Sequence, residues 1–189
     1  MFEEQPLDSA RHDRAGFRCG IPELDDYLQR MATQHRRKGF SNVYVLVEVD
    51  KPDEIIGYYT LSAAQVDTEA LGEADRKKLP RYPVPCFRMG RLACRLDRHG
   101  QGIGKLLVGC AVQRCLLARQ QVGAFALIVD AKNISAKAFY EHYGFAPSPD
   151  VPMTLYLPLG SVYIRQPHRG QIAGALPCAT RGHFNDKCK

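Results

Sequence analysis

The stretch DRHGQGIGKLL, residues 97–107, carries three glycines on alternate positions and then continues as a good helix former. A strand pattern, CFRMGRLACRL (86–96), precedes it, and a helix pattern covers residues 102–121. A strand, a tight glycine turn and a helix together bring backbone N–H groups to the positive end of the helix dipole, where a pyrophosphate can bind. The glycines alone leave a second interpretation equally open, a flexible helix start without a ligand.

Two familiar phosphate-binding motifs do not fit this turn. The magnesium-nucleotide motif needs Ser or Thr after Gly-Lys, but Leu106 follows Lys105. The dinucleotide motif has the spacing G-x-G-x-x-G, whereas Gly100, Gly102 and Gly104 alternate. Neither motif therefore explains the glycines.

The flanking chain alternates helix and strand patterns on both sides of the turn. Helices are predicted at 22–39, 102–121 and 133–145, and strands at 42–49, 55–66, 86–96, 124–131 and 153–159, with a hairpin turn at 50–54 and a polar excursion at 69–85. The expected buried stripes are Leu24, Tyr27, Leu28 and Met31 in the first helix, and Ile103, Leu107, Cys110 and Leu117, interrupted by Arg114, in the second. This order predicts an α/β domain, residues 1–159, with one mixed sheet and helices on both faces. Residues 160–189 are expected to form a loosely ordered tail.

Composition narrows the class of protein. The net charge is +6, but the tail holds five Lys and Arg residues against one Asp, so only about +2 belongs to the domain. The seven cysteines lack C-x-x-C spacing and the six histidines are scattered, so buried thiols and no metal are expected. Without a secretory signal or an apolar run of about 20 residues, a cytoplasmic location and no membrane contact are expected.

Two longer stretches, GRLACRLDRHGQGIGKLLVGCAV and LIVDAKNISAKAFYEHYGF, resemble the GNAT superfamily of N-acetyltransferases. That family's glycine turn, Gln/Arg-x-x-Gly-x-Gly/Ala, is matched at His99–Gly104, with His99 as the departure. The family's second element is matched at Asn133, Ala136, Phe139, Tyr140, Gly144 and Phe145. The resemblance implies the GNAT fold and acetyl-CoA as the donor.

Three other stretches, FRCGIPELDDYL, GYYTLSA and PVPCFRMGRLA, resemble one branch of that superfamily. These are the toxins of type II toxin–antitoxin modules that acetylate the amino group of aminoacyl-tRNA. The likeness covers roughly residues 15–158. It implies a homodimer and a ribbon-helix-helix antitoxin as partner. A housekeeping acetyltransferase for a small amine or a protein N-terminus, and a CoA-binding regulator without turnover, are the alternatives.

The resemblance also implies roles for individual residues. Backbone groups of Leu92, Ala93 and Cys94 would hold the pantetheine arm, which Asn133 would also contact, and Phe139 would line the pocket. The pyrophosphate would bind at the turn residues, which are His99, Gly100, Gln101, Gly102, Ile103, Gly104 and Lys105. The backbone N–H of Cys94 is a plausible donor to the oxyanion.

The resemblance favours Tyr140 as the general acid, with Tyr143 as the fallback, whereas the sequence alone favours a core aromatic at position 140. A phenol with a pKa near 10 keeps its proton at pH 7 and can protonate a departing thiolate. The alternative role for Tyr140 is that of a core aromatic. No residue stands out as a general base, and an α-amine with a pKa near 7.7–8.0 needs little help to become neutral.

An RNA substrate would need a basic surface. The candidates are Arg36 and Arg37 in HRRKG, and Arg76, Lys77 and Lys78 in RKKLPR, which rank highest because they lie on the excursion between strands. Four further arginines, Arg88, Arg91, Arg95 and Arg98, lie near the glycine turn, and Arg91 is open to a structural role. Solvated surface charge is the alternative for each of these residues.

Overall fold

A computed structural model describes residues 1–162 and the pair 176–177. The strands are β1 (Phe2–Pro6), β2 (Asn42–Glu48), β3 (Lys51–Val66), β4 (Val84–Cys94), β5 (Ala126–Asp130), β6 (Ala146–Pro147), β7 (Thr154–Pro158) and β8 (Leu176–Pro177). The helices are α1 (Pro22–Asp26), α2 (Ala32–Arg37), α3 (Glu73–Arg76), α4 (Ile103–Ala118) and α5 (Ile134–His142), and a π-helical turn, Tyr27–Met31, joins α1 to α2. Short 3₁₀ turns cover Thr68–Ala70, Leu96–Arg98 and Leu159–Ser161. Most of the expected tail, 160–189, lies outside the described residues.

The strands form one mixed sheet in the order β6-β7-β5-β4-β3-β2-β1-β8, which confirms the predicted fold class. Within the described part of the chain, β4 and β5 are the one parallel pair, and the other neighbours are antiparallel. Strands β1, β6 and β8 were not predicted. No helix among the described residues is long and apolar enough to cross a bilayer.

Helices cover both faces of the sheet. On one face α4 packs through Leu107 and Ala111 against Leu127 and Val129 of β5. On the other face, the α1–α2 helix covers β2 and β3, and the segment 67–83 covers the outer side of β4, β5 and β7. Gly57 of β3 allows α4 to come close, since a Cβ there would lie 2.8 Å from a methyl carbon of Leu107.

The parallel pairing of β4 with β5 is short. It joins Phe87–Met89 to Leu127–Val129, while β4 continues to Cys94. The last residues of β4 therefore pair with β3 on one side, and no strand of the described residues pairs with them on the other. The register of β4 on β3 also skips one residue, Gly90, which forms a β-bulge.

Two buried-stripe predictions were wrong in detail. Met31 is 44% exposed and Ala32 is buried instead, because the π-helical turn inserts an extra residue and rotates the following turn. In α4, Leu117 is 45% exposed, while Arg114 lies half-buried over the ring of Tyr44. The predicted hairpin turn at 50–54 is also wrong, since the turn occupies residues 49–50 and β3 starts at Lys51.

Candidate active site

The glycine turn ends in the exposed start of α4. Gly100 and Gly102 adopt φ of +74° and +76°, a left-handed conformation that glycine takes without a steric penalty. The first helical hydrogen bond runs from the N–H of Leu106 to the carbonyl of Gly102 at 3.1 Å, so the N–H groups of residues 103–105 precede it. Among the described residues no side chain caps this end, and its first turn holds no acid. The geometry suits an anion such as a pyrophosphate.

Two side chains of the glycine turn contact backbone carbonyl groups and stabilise its conformation. The Nε2 of His99 lies 3.1 Å from the carbonyl oxygen of Cys94, and the amide nitrogen of Gln101 donates to the carbonyl of Asp97 at 3.1 Å. Lys105 is exposed and has no ion pair within the described ranges. The turn therefore offers backbone N–H groups and one lysine to an anion, while His99 holds the turn against β4.

The end of β4 presents backbone groups on its open side. The N–H of Arg95 donates to the carbonyl of Ile56 at 2.7 Å, and the alternation of antiparallel pairs then turns the backbone groups of Leu92 and Cys94 away from β3. Ala93 lies between them with its backbone groups facing β3 and its side chain packed under the α1–α2 helix. Leu92 and Cys94 are thus the residues placed to bind an extended pantetheine arm.

The thiol of Cys94 does not compete for an acetyl group. Burial raises the pKa of this thiol, so it stays protonated at neutral pH and is a weak nucleophile. Cys19, Cys86 and Cys115 are buried thiols without a disulfide bond. Residues 1–162 and 176–177 contain no group of three potential ligands that could hold a metal ion.

Helix α5 lies directly against the start of α4. Asn133 caps α5, accepting a hydrogen bond at 2.8 Å from the N–H of Ala136, as its sequence position predicts. Phe139 packs on Gly104, where an added Cβ would lie 3.2 Å from the ring carbon Cζ. This contact brings the glycine turn, Phe139 and the adjacent Tyr140 together.

Tyr140 has the properties of a protected proton donor. Its side chain is 9% exposed and contacts the rings of Phe139 and Phe145, with centroid distances of 5.3 and 5.5 Å. Its hydroxyl has no hydrogen-bond partner in the described part of the chain, yet it is not fully enclosed. Burial raises the pKa of Tyr140 to about 12. Tyr143 is half-buried, with its ring 4.9 Å from that of Phe139.

The candidate RNA-binding residues lie on separate elements. Arg36 donates to the carbonyl of Leu7, while Arg37 is exposed near the end of α2. On the excursion, Lys77 pairs with Glu73 at 2.7 Å, and Arg76 and Lys78 are exposed without an ion pair to a described residue. The structure therefore leaves Arg37, Arg76 and Lys78 as the available cations of this set.

The four arginines near the turn all have partners inside the chain. Arg88 pairs with Asp130, Arg95 with Glu54 and Asp97, and Arg98 with Glu48, whereas Arg91 lies over the ring of Tyr27. Sequence reasoning missed the bulge that positions Arg91. The one available signal was Gly90 inside a strand pattern, since such a glycine often marks a bulge.

The model of the Acetyltransferase (GNAT) domain matches residues 39–147 of this chain. The chain belongs to the GNAT acetyltransferase family, and is an acetyl-CoA-dependent N-acetyltransferase. It is 34% identical over 146 residues to a tRNA-acetylating toxin of Mycobacterium tuberculosis, covering 77% of this chain and 85% of that relative.

Two solved structures share the fold. One is AtaT complexed with acetyl-methionyl-tRNAfMet, with a TM-score of 0.80 and 29% identity over 85% of this chain and 96% of that one. The other is a mutant of the AtaT toxin bound to the C-terminus of the antitoxin AtaR and to acetyl-CoA, with a TM-score of 0.72 and 27% identity over 85% and 94%.

Proposed function

We propose that this chain transfers the acetyl group of acetyl-CoA to the α-amino group of aminoacyl-tRNA and so acts as a translation-blocking toxin. The similarity to a tRNA-acetylating toxin over 85% of that relative's length supports this acceptor. The observation that carries the chemistry is the side chain of Tyr140, which is 9% exposed and has a hydroxyl without a partner among described residues, beside the contact of Phe139 with the glycine turn.

The donor is held along the open side of β4. The N–H groups at the start of α4 bind the pyrophosphate, and the backbone of Leu92 and Cys94 binds the pantetheine arm. The N–H of Cys94 also donates to the carbonyl oxygen of the thioester as negative charge develops there. Asn133, whose side-chain oxygen is used by the helix cap, has its NH₂ group left to contact the pantetheine.

The reaction exchanges one bond for another. The neutral amine attacks the thioester carbonyl, a C–N bond forms and the C–S bond breaks, and the electron pair of that bond goes to sulfur. The phenol of Tyr140 donates its proton to this sulfur, so CoA leaves as a thiol. The attacking nitrogen loses one proton as the amide forms, and that proton returns to the phenolate of Tyr140. A phenol with a pKa of about 12 stays protonated throughout the neutral range and is ready to donate.

The acceptor explains the absence of an obvious base. An α-amine has a pKa near 7.7–8.0, and the neighbouring ester lowers this value, so a useful fraction is neutral at pH 7. A lysine side chain, with a pKa near 10.4, would need a base to reach the same state. An enzyme that binds and orients an α-amine can rely on positioning.

We further propose that residues 1–159 form the catalytic domain and that the enzyme works in the cytoplasm as a homodimer. We propose a ribbon-helix-helix antitoxin as its partner, whose tail covers the donor site. The neighbouring structure of an AtaT mutant bound to the C-terminus of the antitoxin AtaR supports an antitoxin as partner.

Mass spectrometry of total tRNA after brief expression tests the function. We expect acetylated aminoacyl groups in cells expressing the wild-type chain and none with an empty vector. Turnover on a polyamine or peptide without any acetylated tRNA would instead indicate the housekeeping enzyme. Binding of acetyl-CoA without acetylation of any tested acceptor would indicate a CoA-binding regulator without turnover.

A further inference from the structure

On the sheet face opposite α4, one stretch of β4 lies between two covering elements of the described chain. Near its start, Val84 and Cys86 pack under the segment 67–83, and near its end Ala93 packs under the α1–α2 helix. The half-buried Arg88 and Arg91 lie between these two coverings. The parallel pairing of β4 with β5 also ends here, at Met89. We therefore expect an acceptor cleft between the unpaired ends of these two strands, beside the thioester, with this stretch of β4 as its floor.

Arg91 reaches this face because of the bulge. Met89 points to the α4 side of the sheet, and regular alternation would put Arg91 on that side too. The extra residue, Gly90, reverses the alternation, so that Arg91 and Ala93 share the outer face while Leu92 and Cys94 face α4.

Of the two arginines on the cleft floor, Arg88 has a carboxylate partner and Arg91 has none among the described residues. Arg88 pairs with Asp130, which also accepts a hydrogen bond from the hydroxyl of Thr154 at 2.8 Å. Arg91 has no carboxylate partner in the described ranges, and its guanidinium carbon lies 3.7 Å from the ring centroid of Tyr27. The aromatic ring covers one face of the guanidinium and leaves N–H donors on its edge, the geometry that binds phosphate in a bidentate manner.

We propose that Arg91 binds the phosphodiester of the terminal nucleotide of the acceptor aminoacyl-tRNA. This contact makes the enzyme specific for an aminoacylated RNA 3′ end. This inference rests on the proposed function. The aminoacyl group is esterified to the terminal ribose, so this phosphate is the anion nearest to the reacting amine. A fixed cation on the floor of the cleft then positions the amine by holding the nucleotide that carries it.

The test compares two acceptors that differ in this phosphate. Acetylation of aminoacyl-tRNA and of aminoacyl-adenosine, which lacks a phosphodiester, is measured with the wild type, Arg91→Ala and Arg91→Lys. Arg30→Ala is the matched control, because Arg30 lies in the same π-helical turn as Tyr27 but is exposed and paired with Asp26 at 3.6 Å. Calorimetry with acetyl-CoA and thermal unfolding check that each variant is folded.

We expect Arg91→Ala to lower kcat/KM for aminoacyl-tRNA by 10- to 100-fold, mainly through KM, and to change the rate with aminoacyl-adenosine by less than twofold. Arg91→Lys should recover part of the loss, and Arg30→Ala should behave as the wild type. Equal losses with both acceptors, or no loss with aminoacyl-tRNA, would overturn the role of Arg91. A wild type that acetylates peptides but neither of these acceptors would overturn the proposed function itself, and this inference with it.

Discussion

The ring of Tyr140 is fixed by apolar packing while its hydroxyl has no hydrogen bond to another described residue. Its ring is packed between Phe139 and Phe145, so its position is fixed by apolar contacts. Its hydroxyl has no hydrogen bond to another described residue that would have to break before it donates a proton. A purely structural tyrosine at this depth would normally use its hydroxyl in a hydrogen bond.

Tyr140→Phe should therefore separate catalysis from stability. We expect kcat to fall by about 100-fold or more, the size of a general-acid contribution, with the Kd for acetyl-CoA unchanged within twofold. The free energy of unfolding should change by less than about 0.5 kcal/mol, because no hydrogen bond within the described protein is lost. Steady-state kinetics, calorimetry and urea unfolding measure the three quantities. Tyr143→Phe is the control, and a rate loss there instead would make Tyr143 the acid.

The raised pKa of Tyr140 also predicts the pH profile. Tyr140 acts as an acid when it is protonated, so its contribution to activity is lost only as pH rises through about 12. The acceptor amine acts when it is neutral, so activity increases as pH rises through the pKa of that amine. We expect log kcat/KM to rise to a plateau between pH 6 and 10 without a descending limb. A decrease above pH 8.5 would mean that the proton comes from a more acidic group.

At the scale of elements, the contact of α5 with the start of α4 sets the donor site. Gly104 allows this contact because its missing side chain makes room for Phe139. Gly109 lies further along the same helix, where an added Cβ would meet nothing within 4 Å. The two glycines thus offer a matched pair of positions on α4.

Gly104→Ala and Gly109→Ala should differ in their effects on stability and on acetyl-CoA binding. Alanine at 109 should stabilise the protein by about 0.5–1 kcal/mol, since it improves helix propensity without a clash. Alanine at 104 gains the same propensity but pushes Phe139 away, so we expect no net stabilisation and an acetyl-CoA Kd weakened about 10-fold. Thermal unfolding and calorimetry distinguish the two. Equal Kd values for both variants would show that the contact does not shape the site.

Most elements could be predicted from the sequence because their signals are local. The glycine turn and the Asn133 cap are contiguous patterns, and both lie where the patterns predict. The π-helical turn was not predicted; it begins at Tyr27, whose ring stacks on Tyr58 of β3, a contact between distant segments that no local pattern contains. Strand β1 was missed because its sequence, FEEQP, places the charged Glu4 in the core, where a partner 110 residues away makes it stable.

The residues of the candidate site also divide into those that a short motif predicts and one that no local pattern predicts. Tyr140, Phe139 and the turn residues form one or two short motifs, so the sequence could nominate them. The role of Arg91 depends on the bulge at Gly90, on the covering helix and on the lack of a carboxylate among its described neighbours. These are facts about three separate segments, and no single stretch of sequence contains them.

Across the whole molecule, one buried polar cluster joins the start of the chain to α4. Glu4 is 4% exposed, accepts hydrogen bonds from the hydroxyl of Tyr59 and from Arg114, and Arg114 also stacks on Tyr44 with its guanidinium carbon 3.9 Å from the ring centroid. The cluster ties β1, β2, β3 and α4 together. It is satisfied only when all of its members are present.

Glu4→Gln should destabilise the fold by about 3 kcal/mol, because it leaves the half-buried Arg114 without its countercharge. Glu4→Leu combined with Arg114→Met should cost less than either change alone, since an apolar pair has no charge to bury and only the hydroxyl of Tyr59 loses its acceptor. Urea unfolding of Glu4→Leu, Arg114→Met and their combination measures the coupling. Additive losses in the double variant would show that the two side chains do not depend on each other.

The polar excursion, residues 69–85, places exposed basic side chains on the surface of the molecule. Neutralising Arg76 and Lys78 to Gln should weaken binding of aminoacyl-tRNA and reduce the slope of log K against log salt by about 1.4–1.8, and it should relieve growth arrest. Lys77→Gln is the control and should have a smaller effect, because Lys77 already pairs with Glu73. Unchanged affinity and toxicity in the double variant would remove this surface from RNA binding.

The bulge at Gly90 gives β4 one residue more than the stretch of β3 with which it pairs. Deleting Gly90 would remove this surplus residue, so Arg91 would directly follow Met89 in regular alternation and stay on the face where Tyr27 lies. Deleting Leu92 instead would turn Ala93 and Cys94 to the opposite faces of the sheet. A one-codon deletion should thus be tolerated better at position 90 than two residues further along the same strand.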